Sequence, residues 1–188
     1  MYHAPEGAAS GGLLAFEHSK DKRPDLLQFK QGLGTLDPAG VPIFTETVNG
    51  NKADDPLYVE AWRRMGQTVG RKDFLLVADC KAAALETRAT RAQEGGWYLF
   101  PVPLTGTTPA ELAGWIRQPP AALRELVLAV EGGAGGKGKQ IGTGWEVEKT
   151  VTVERDKQTY QWKERWLVIR SDNQAKQQKK KLLYFTPP

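Results

Sequence analysis

The sequence predicts a mixed α/β protein whose C-terminal half is rich in strands, and three observations carry that prediction. Short apolar or β-branched runs bounded by Gly, Pro and Asn recur through the first hundred residues, as strands require. Between them lie stretches with apolar residues three and four apart, the spacing of a helix face. Beyond residue 140 the pattern changes to alternation of apolar and polar residues, the period of a sheet with one covered face. The chain is expected to divide into a core over residues 1–103 and a second region over residues 104–188 that ends in the alternating stretches.

Taken in order, residues 1–17 hold Pro5, Gly7, Gly11 and Gly12 and read as a loop. The dense charged run His18-Ser-Lys-Asp-Lys-Arg-Pro-Asp-Leu26 then leads into a strand over Gln28–Leu36, although Gly32 and Gly34 count against it. Asp37-Pro-Ala-Gly40 is a turn with proline at its second position, where a fixed φ helps. Val41–Val48 completes a hairpin. After Asn49-Gly50-Asn51, Asp55 is placed to cap a helix with Pro56 at its first position. Leu57, Tyr58, Ala61, Trp62, Met65 and Val69 share one face of that helix, and Gly70 ends it. Phe74–Ala78 is a continuous apolar run, as expected of a central strand covered on both faces, and it delivers Asp79 at its end. Ala82–Gln93 reads as a helix stopped by Gly95-Gly96, and Trp97–Phe100 as a strand stopped by Pro101.

In the second region Pro109–Arg117 is a helix ended before Pro119-Pro120, and Gly132–Gly138 a glycine-rich linker. Trp145, Val147, Val151 and Val153 alternate with polar residues, and beyond a turn at Arg155-Asp156-Lys157 so do Tyr160, Trp162, Trp166 and Val168. This predicts an antiparallel hairpin with one apolar face. Gln174–Leu183 is a lysine-rich helix. The tryptophans read as the core of a small sheet before they read as a stacking platform for bases. The cluster Lys176, Lys179, Lys180 and Lys181 reads as a solvated helix face before a phosphate site.

Composition narrows the chemistry. Of 188 residues, 26% are charged and the net charge is +4, a mild basic balance compatible with nucleic acid. One cysteine, Cys80, excludes an intramolecular disulfide and a cysteine zinc site, and with only two histidines any metal would be a hard ion on carboxylates. No histidine lies near Cys80 in sequence, which argues against a thiol nucleophile. The glycine-rich run lacks the lysine-serine or lysine-threonine ending of a phosphate loop. No basic, apolar leader opens the sequence, and the apolar run Leu126–Val130 is too short to span a bilayer, so a cytoplasmic location without membrane contact is expected.

Apart from a missing leading glycine, His18-Ser-Lys-Asp-Lys-Arg-Pro-Asp-Leu26 resembles a segment of the DDE transposases of bacterial insertion sequences. Gln28 and Leu33, Gly40-Val-Pro42 and Gly50-Asn51 follow at the family's spacing. So do Asp79-Cys-Lys81, Leu85-Glu-Thr-Arg-Ala89, Tyr98-Leu-Phe-Pro-Val-Pro103 and Arg165-Trp-Leu-Val-Ile-Arg-Ser171. Each motif alone is weak; their order covers nearly the whole chain. The resemblance implies an RNase H-like mixed sheet flanked by helices, entered from its second strand, with a β-rich insertion in the C-terminal half. It also implies DNA cleavage and strand transfer by Mg²⁺ (or Mn²⁺) held on an Asp, Asp, Glu triad.

Asp79 matches the second triad residue, catalytic and metal-binding by that resemblance; alone it would read as a strand-end aspartate in a turn. Lys20, Lys22 and Arg23 would contact DNA, as would Lys81 and Arg88 beside Asp79, Arg88 pairing equally well with a nearby glutamate. The implied partner is double-stranded DNA, both transposon ends and target, with room for a homodimer. No residue here matches the first triad aspartate, and Glu146, Glu148, Glu154 and Glu164 lie on insertion strands, away from the triad glutamate's place. A central piece of such an enzyme, inactive and poorly soluble alone, is therefore expected. A non-catalytic DNA-binding or interaction module that keeps only the fold is the alternative, and an unrelated basic α/β protein a third.

Overall fold

The structure is a computed structural model, and it describes residues 13–16, 26–120, 122, 124–128 and 139–185. The chain forms two compact units, Met1–Pro103 and Leu104–Pro188. Both are built of helices and sheets, so the α/β class holds at that level.

In the first unit, β1 (Ala15–Phe16), β2 (Leu27–Leu36) and β3 (Val41–Asn49) form an antiparallel sheet in that order. The β2–β3 turn closes at Gly40, whose φ of 66° favours glycine and whose N–H donates to the Leu36 carbonyl at 2.9 Å. Helix α1 (Asp54–Val69) packs on this hairpin. The glycine at position 34, which counted against a strand, is what lets the helix approach: a Cβ there would stand 2.5 Å from Met65 Sδ and 3.3 Å from Phe44 Cβ. Trp62, Met65 and Phe44 are accordingly buried. Gly70 ends α1 at φ 76°, its N–H donating to the Gly66 carbonyl.

The start of α1 differs from expectation. Asp55 is not the cap; Ala53 precedes the helix and offers no side-chain hydrogen bond. Asp54 and Asp55 both lie in the first turn, where their charges meet the positive end of the helix dipole, and Pro56 follows them. Lys30 explains the shift: its ammonium pairs with Asp54 at 3.0 Å and donates to the Lys52 carbonyl at 2.6 Å, fixing the helix entrance from β2.

Strands β4 (Leu75–Val77) and β5 (Trp97–Leu99) form a parallel pair. Between them lie a one-turn 3-10 helix (Cys80–Ala83) and α2 (Leu85–Gln93). The single helix expected over Ala82–Gln93 is thus two, because Ala84 takes an extended conformation (φ −53°, ψ 139°) and restarts the helix. The strand expected to be covered on both faces is covered on one. Leu75 and Trp97, then Val77 and Leu99, pair across the strands and face outward together, with Val77 64% and Trp97 68% exposed.

Arg91 of α2 is fully buried between the rings of Trp62 and Phe74, its guanidinium carbon 4.4 Å and 5.9 Å from their centroids. Its Nη2 donates to the Trp97 carbonyl at 2.5 Å, while Nε and Nη1 have no hydrogen-bond partner. Burial pushes its pKa down to about 10, with Tyr98 opposing. A base depressed in the folded state costs stability at every pH below that value, and the cost lifts only as pH rises through it. Replacing Arg91 by Met keeps the stem and removes two unsatisfied buried donors, at the loss of one hydrogen bond and two cation–π contacts, the one to Phe74 being long. The Arg91→Met variant is expected to be more stable than the parent by about 1–2 kcal/mol in urea unfolding. A loss of stability would mean that the ring sandwich outweighs the desolvation.

The second unit holds α3 (Thr108–Arg117), an antiparallel sheet of β6 (Arg124–Leu128), β7 (Lys139–Arg155) and β8 (Gln158–Ser171), and α4 (Asp172–Phe185). Strand β7 begins well before Trp145, and β6 pairs with its first residues. The linker expected over Gly132–Gly138 lies outside the described residues. Asp156 (φ 52°) and Lys157 (φ 62°) make the two-residue turn whose twist matches the strands. From it β7 and β8 pair without a shift back to Gly142 and Ser171. The outer face carries ion pairs, Arg165 with Glu146 at 2.7 Å and Lys163 with Glu148 at 2.7 Å.

Among the described residues, no helix is long and apolar enough to cross a membrane.

Candidate functional site

Asp79 leaves the C-terminal end of β4 and caps the 3-10 helix, the place where a carboxylate meets both free backbone donors and solvent. Its Oδ1 accepts from the Lys81 N–H at 3.0 Å and from the Tyr58 hydroxyl at 2.7 Å, and the Ala82 N–H donates to its carbonyl at 3.2 Å. Tyr58 reaches it from the first turns of α1, so one carboxylate links that helix to the end of the parallel pair. Burial, and then the Asp79 carboxylate, raise the Tyr58 pKa well above its ordinary value, so the phenol keeps its proton and stays a donor.

Lys81 follows within the 3-10 helix and is exposed beside Asp79. Arg88 lies on α2, half-buried, and its Nε donates to the Ala83 carbonyl at 2.9 Å, bracing the break between the two helices. Lys20, Lys22 and Arg23 lie outside the described residues, as does His18 and most of its charged run. Cys80 is exposed and in no disulfide. Lys176 is exposed on α4, whereas the side chains of Lys179, Lys180 and Lys181 lie outside the described residues.

The fit to divalent ions can be tested on this geometry. Among the described residues, no group of three or more His, Cys, Asp or Glu side chains comes together. Mg²⁺ accepts one or two protein carboxylates when substrate phosphates and waters complete the shell, but a triad site needs three gathered at one point. Asp79 supplies one, with one oxygen already accepting two hydrogen bonds. The described residues therefore do not make up the expected metal site.

Two groupings escaped sequence reasoning. Tyr58 fell on the apolar face of its helix, and nothing in spacing singles out its hydroxyl. In the second unit, the hairpin's inner face is not wholly apolar: Lys149 and Glu164 stand opposite each other in the middle of the row of tryptophans and valines. Glu164 is buried, at 8% exposure, and its two oxygens accept from the indoles of Trp162 at 2.9 Å and Trp166 at 2.8 Å. A groove lies along α1 and α2, lined by Asp55, Glu60, Arg63, Arg64, Glu86 and Thr87 among others. Its charges are mixed, and its arginines are paired, Arg63 with Glu94 and Arg64 with Glu46.

Fold and site together define an α/β protein with an exposed carboxylate capping the turn after a short parallel strand. Comparison with protein-family models, with curated proteins and with solved structures finds no match for this chain.

Proposed function

We propose that the chain carries part of the catalytic region of a DDE-type transposase with an RNase H-like core, an enzyme class that cleaves DNA and transfers strands. The single observation behind this reading is the ordered series of segments from His18–Leu26 through Asp79-Cys-Lys81 to Arg165–Ser171. The placement of Asp79 at the carboxyl end of a parallel strand, with the β2–β3 hairpin and α1 before it and α2 after it, is compatible with that reading. Asp79 would be the one triad residue present, with Lys81 on the DNA backbone and Mg²⁺ or Mn²⁺ as the family's ions.

The second reading is a non-catalytic module that binds DNA or a partner and keeps the fold alone. It is favoured by the use of Asp79 as a cap and by the lack of a gathered carboxylate set among the described residues.

Supercoiled-plasmid nicking and duplex binding by the purified chain test the proposal, nicking alone separating the first reading from the second. The expected result is duplex binding that weakens with salt, the logarithm of affinity falling by about 0.9 per phosphate contact per logarithm of salt. No nicking above background is expected with Mg²⁺ or Mn²⁺. Nicking lost in Asp79→Asn would instead show a working metal site, since asparagine keeps the Oδ1 acceptor for Tyr58 and Lys81 and removes only the charge. Absence of salt-dependent DNA binding would sink the transposase reading and the DNA-binding form of the second, leaving a partner-binding module or the unrelated α/β protein.

A further inference from the structure

We propose that Glu111, Trp115 and Trp166 form a binding site for a primary alkylammonium group, that Lys149 fills this site from within the fold, and that its occupancy fastens α3 to the β7–β8 sheet. A lysine in the middle of a covered, tryptophan-rich row needs a reason, because that position costs its ammonium part of its hydration. The reason lies on α3. The Lys149 ammonium donates to both Glu111 oxygens, at 3.0 and 2.8 Å, and stands 4.1 Å from the centroid of the Trp166 ring and 5.8 Å from that of Trp115. The two indoles meet edge to face, with centroids 5.8 Å apart and planes at 71°. Electron-rich ring faces with a carboxylate closing the remaining side are what an organic ammonium ion recognises.

Among the described residues none of α3 is fully buried and Ile116 stays 59% exposed, while Leu112, Ala113 and Trp115 are half-buried. To that partial apolar cover the ring pair and the bridging ammonium add the directed contacts between α3 and the hairpin. Delivered on a four-carbon stem from the neighbouring strand, that ammonium has an effective concentration no free amine reaches. Glu164, opposite Lys149, supports the site from below: it holds the Trp166 indole by its N–H and so fixes the ring over which Lys149 lies. A ligand of the same chemistry, a lysine side chain or a small alkylamine, would compete for the place of Lys149 and free the helix.

Amide hydrogen exchange on the full chain tests this, with residues 108–117 as the readout and β7–β8 as the internal control for folding. In Lys149→Ala, exchange over 108–117 is expected to rise about tenfold or more while the hairpin stays protected. n-Propylammonium chloride, which replaces the deleted Cγ–Cδ–Cε stem and its charge, should restore protection saturably, and sodium chloride at the same concentration should not. The Lys149→Met variant separates charge from packing: it should resemble the alanine variant in α3 exchange and show no rescue. Parental α3 protection in Lys149→Met, or equal effects of the two salts, would overturn the proposal. Loss of hairpin protection in both variants would overturn it too, by making Lys149 part of the sheet's core and not a fastener.

Discussion

Trp62→Ala is expected to cost the first unit about 3–5 kcal/mol, enough to unfold it under mild conditions. Trp62 is fully buried on α1, against Arg91 of α2 and Gly96 before β5. It presses on the backbone of Gly96, where a Cβ would come 2.8 Å from its Cζ2. It also supplies the ring face, 4.4 Å away, that shelters the Arg91 guanidinium. Removal leaves a cavity and a buried cation with one fewer neighbour, two costs that add. Trp62→Phe should lose far less, about 1–2 kcal/mol, because a ring remains and the indole N–H has no hydrogen-bond partner to forfeit. Urea unfolding checks both, and because the mechanism is shared, Arg91→Met should recover part of the loss in the Trp62→Ala background. A Trp62→Ala loss under about 1 kcal/mol would mean that the unit is not organised around α1.

Glu164→Ala is expected to cost the second unit about 2–4 kcal/mol. The carboxylate is buried, and both of its oxygens accept from tryptophan indoles, so alanine strands two donors and opens a void. Glu164→Gln separates the two effects. It keeps the volume and one acceptor but turns an amide N–H₂ toward the second indole, and should cost about half as much. Glu164→Met fills the space without offering an acceptor, and falls between them if desolvation relief offsets the lost hydrogen bonds. Near-ultraviolet circular dichroism reports the indoles directly. Unchanged spectra and stability in all three variants would show that the indoles find solvent and that the carboxylate holds nothing.

Legibility in the sequence followed the range of the cause. The β2–β3 and β7–β8 hairpins were readable because turn chemistry is local: Gly40 after a proline, and a polar pair between two alternating runs. The apolar face of α1 and its glycine stop were readable for the same reason. Where a neighbour decided, the reading failed. Lys30 moved the start of α1 by pairing with Asp54. The break at Ala84 left no trace, since alanines suit either helix and carry no side chain to signal a restart. Nothing in the spacing around Arg91 signals its burial, which comes from Trp62 and Phe74 closing over it. Each member of the Lys149–Glu164 pair interrupts an alternating row, and their pairing shows only when the turn sets the two strands in register. The position of Asp79 could be read, but its use as a cap and its bond to Tyr58 could not.

The unshifted pairing of β7 with β8 sets the order of events when the second unit folds. Every pair grows outward from the Asp156-Lys157 turn, so contacts near it join residues close in sequence and form on the microsecond scale of hairpins. On that basis Arg155–Gln158 and Glu154–Thr159 are expected to pair first, then Val153–Tyr160 and Val151–Trp162, with the Lys149–Glu164 level reached before Trp145 meets Val168. Substitutions near the turn are therefore expected to change how fast the unit forms, and substitutions near Gly142 and the β6 edge how long it persists, which folding and unfolding rates measured by stopped-flow would check.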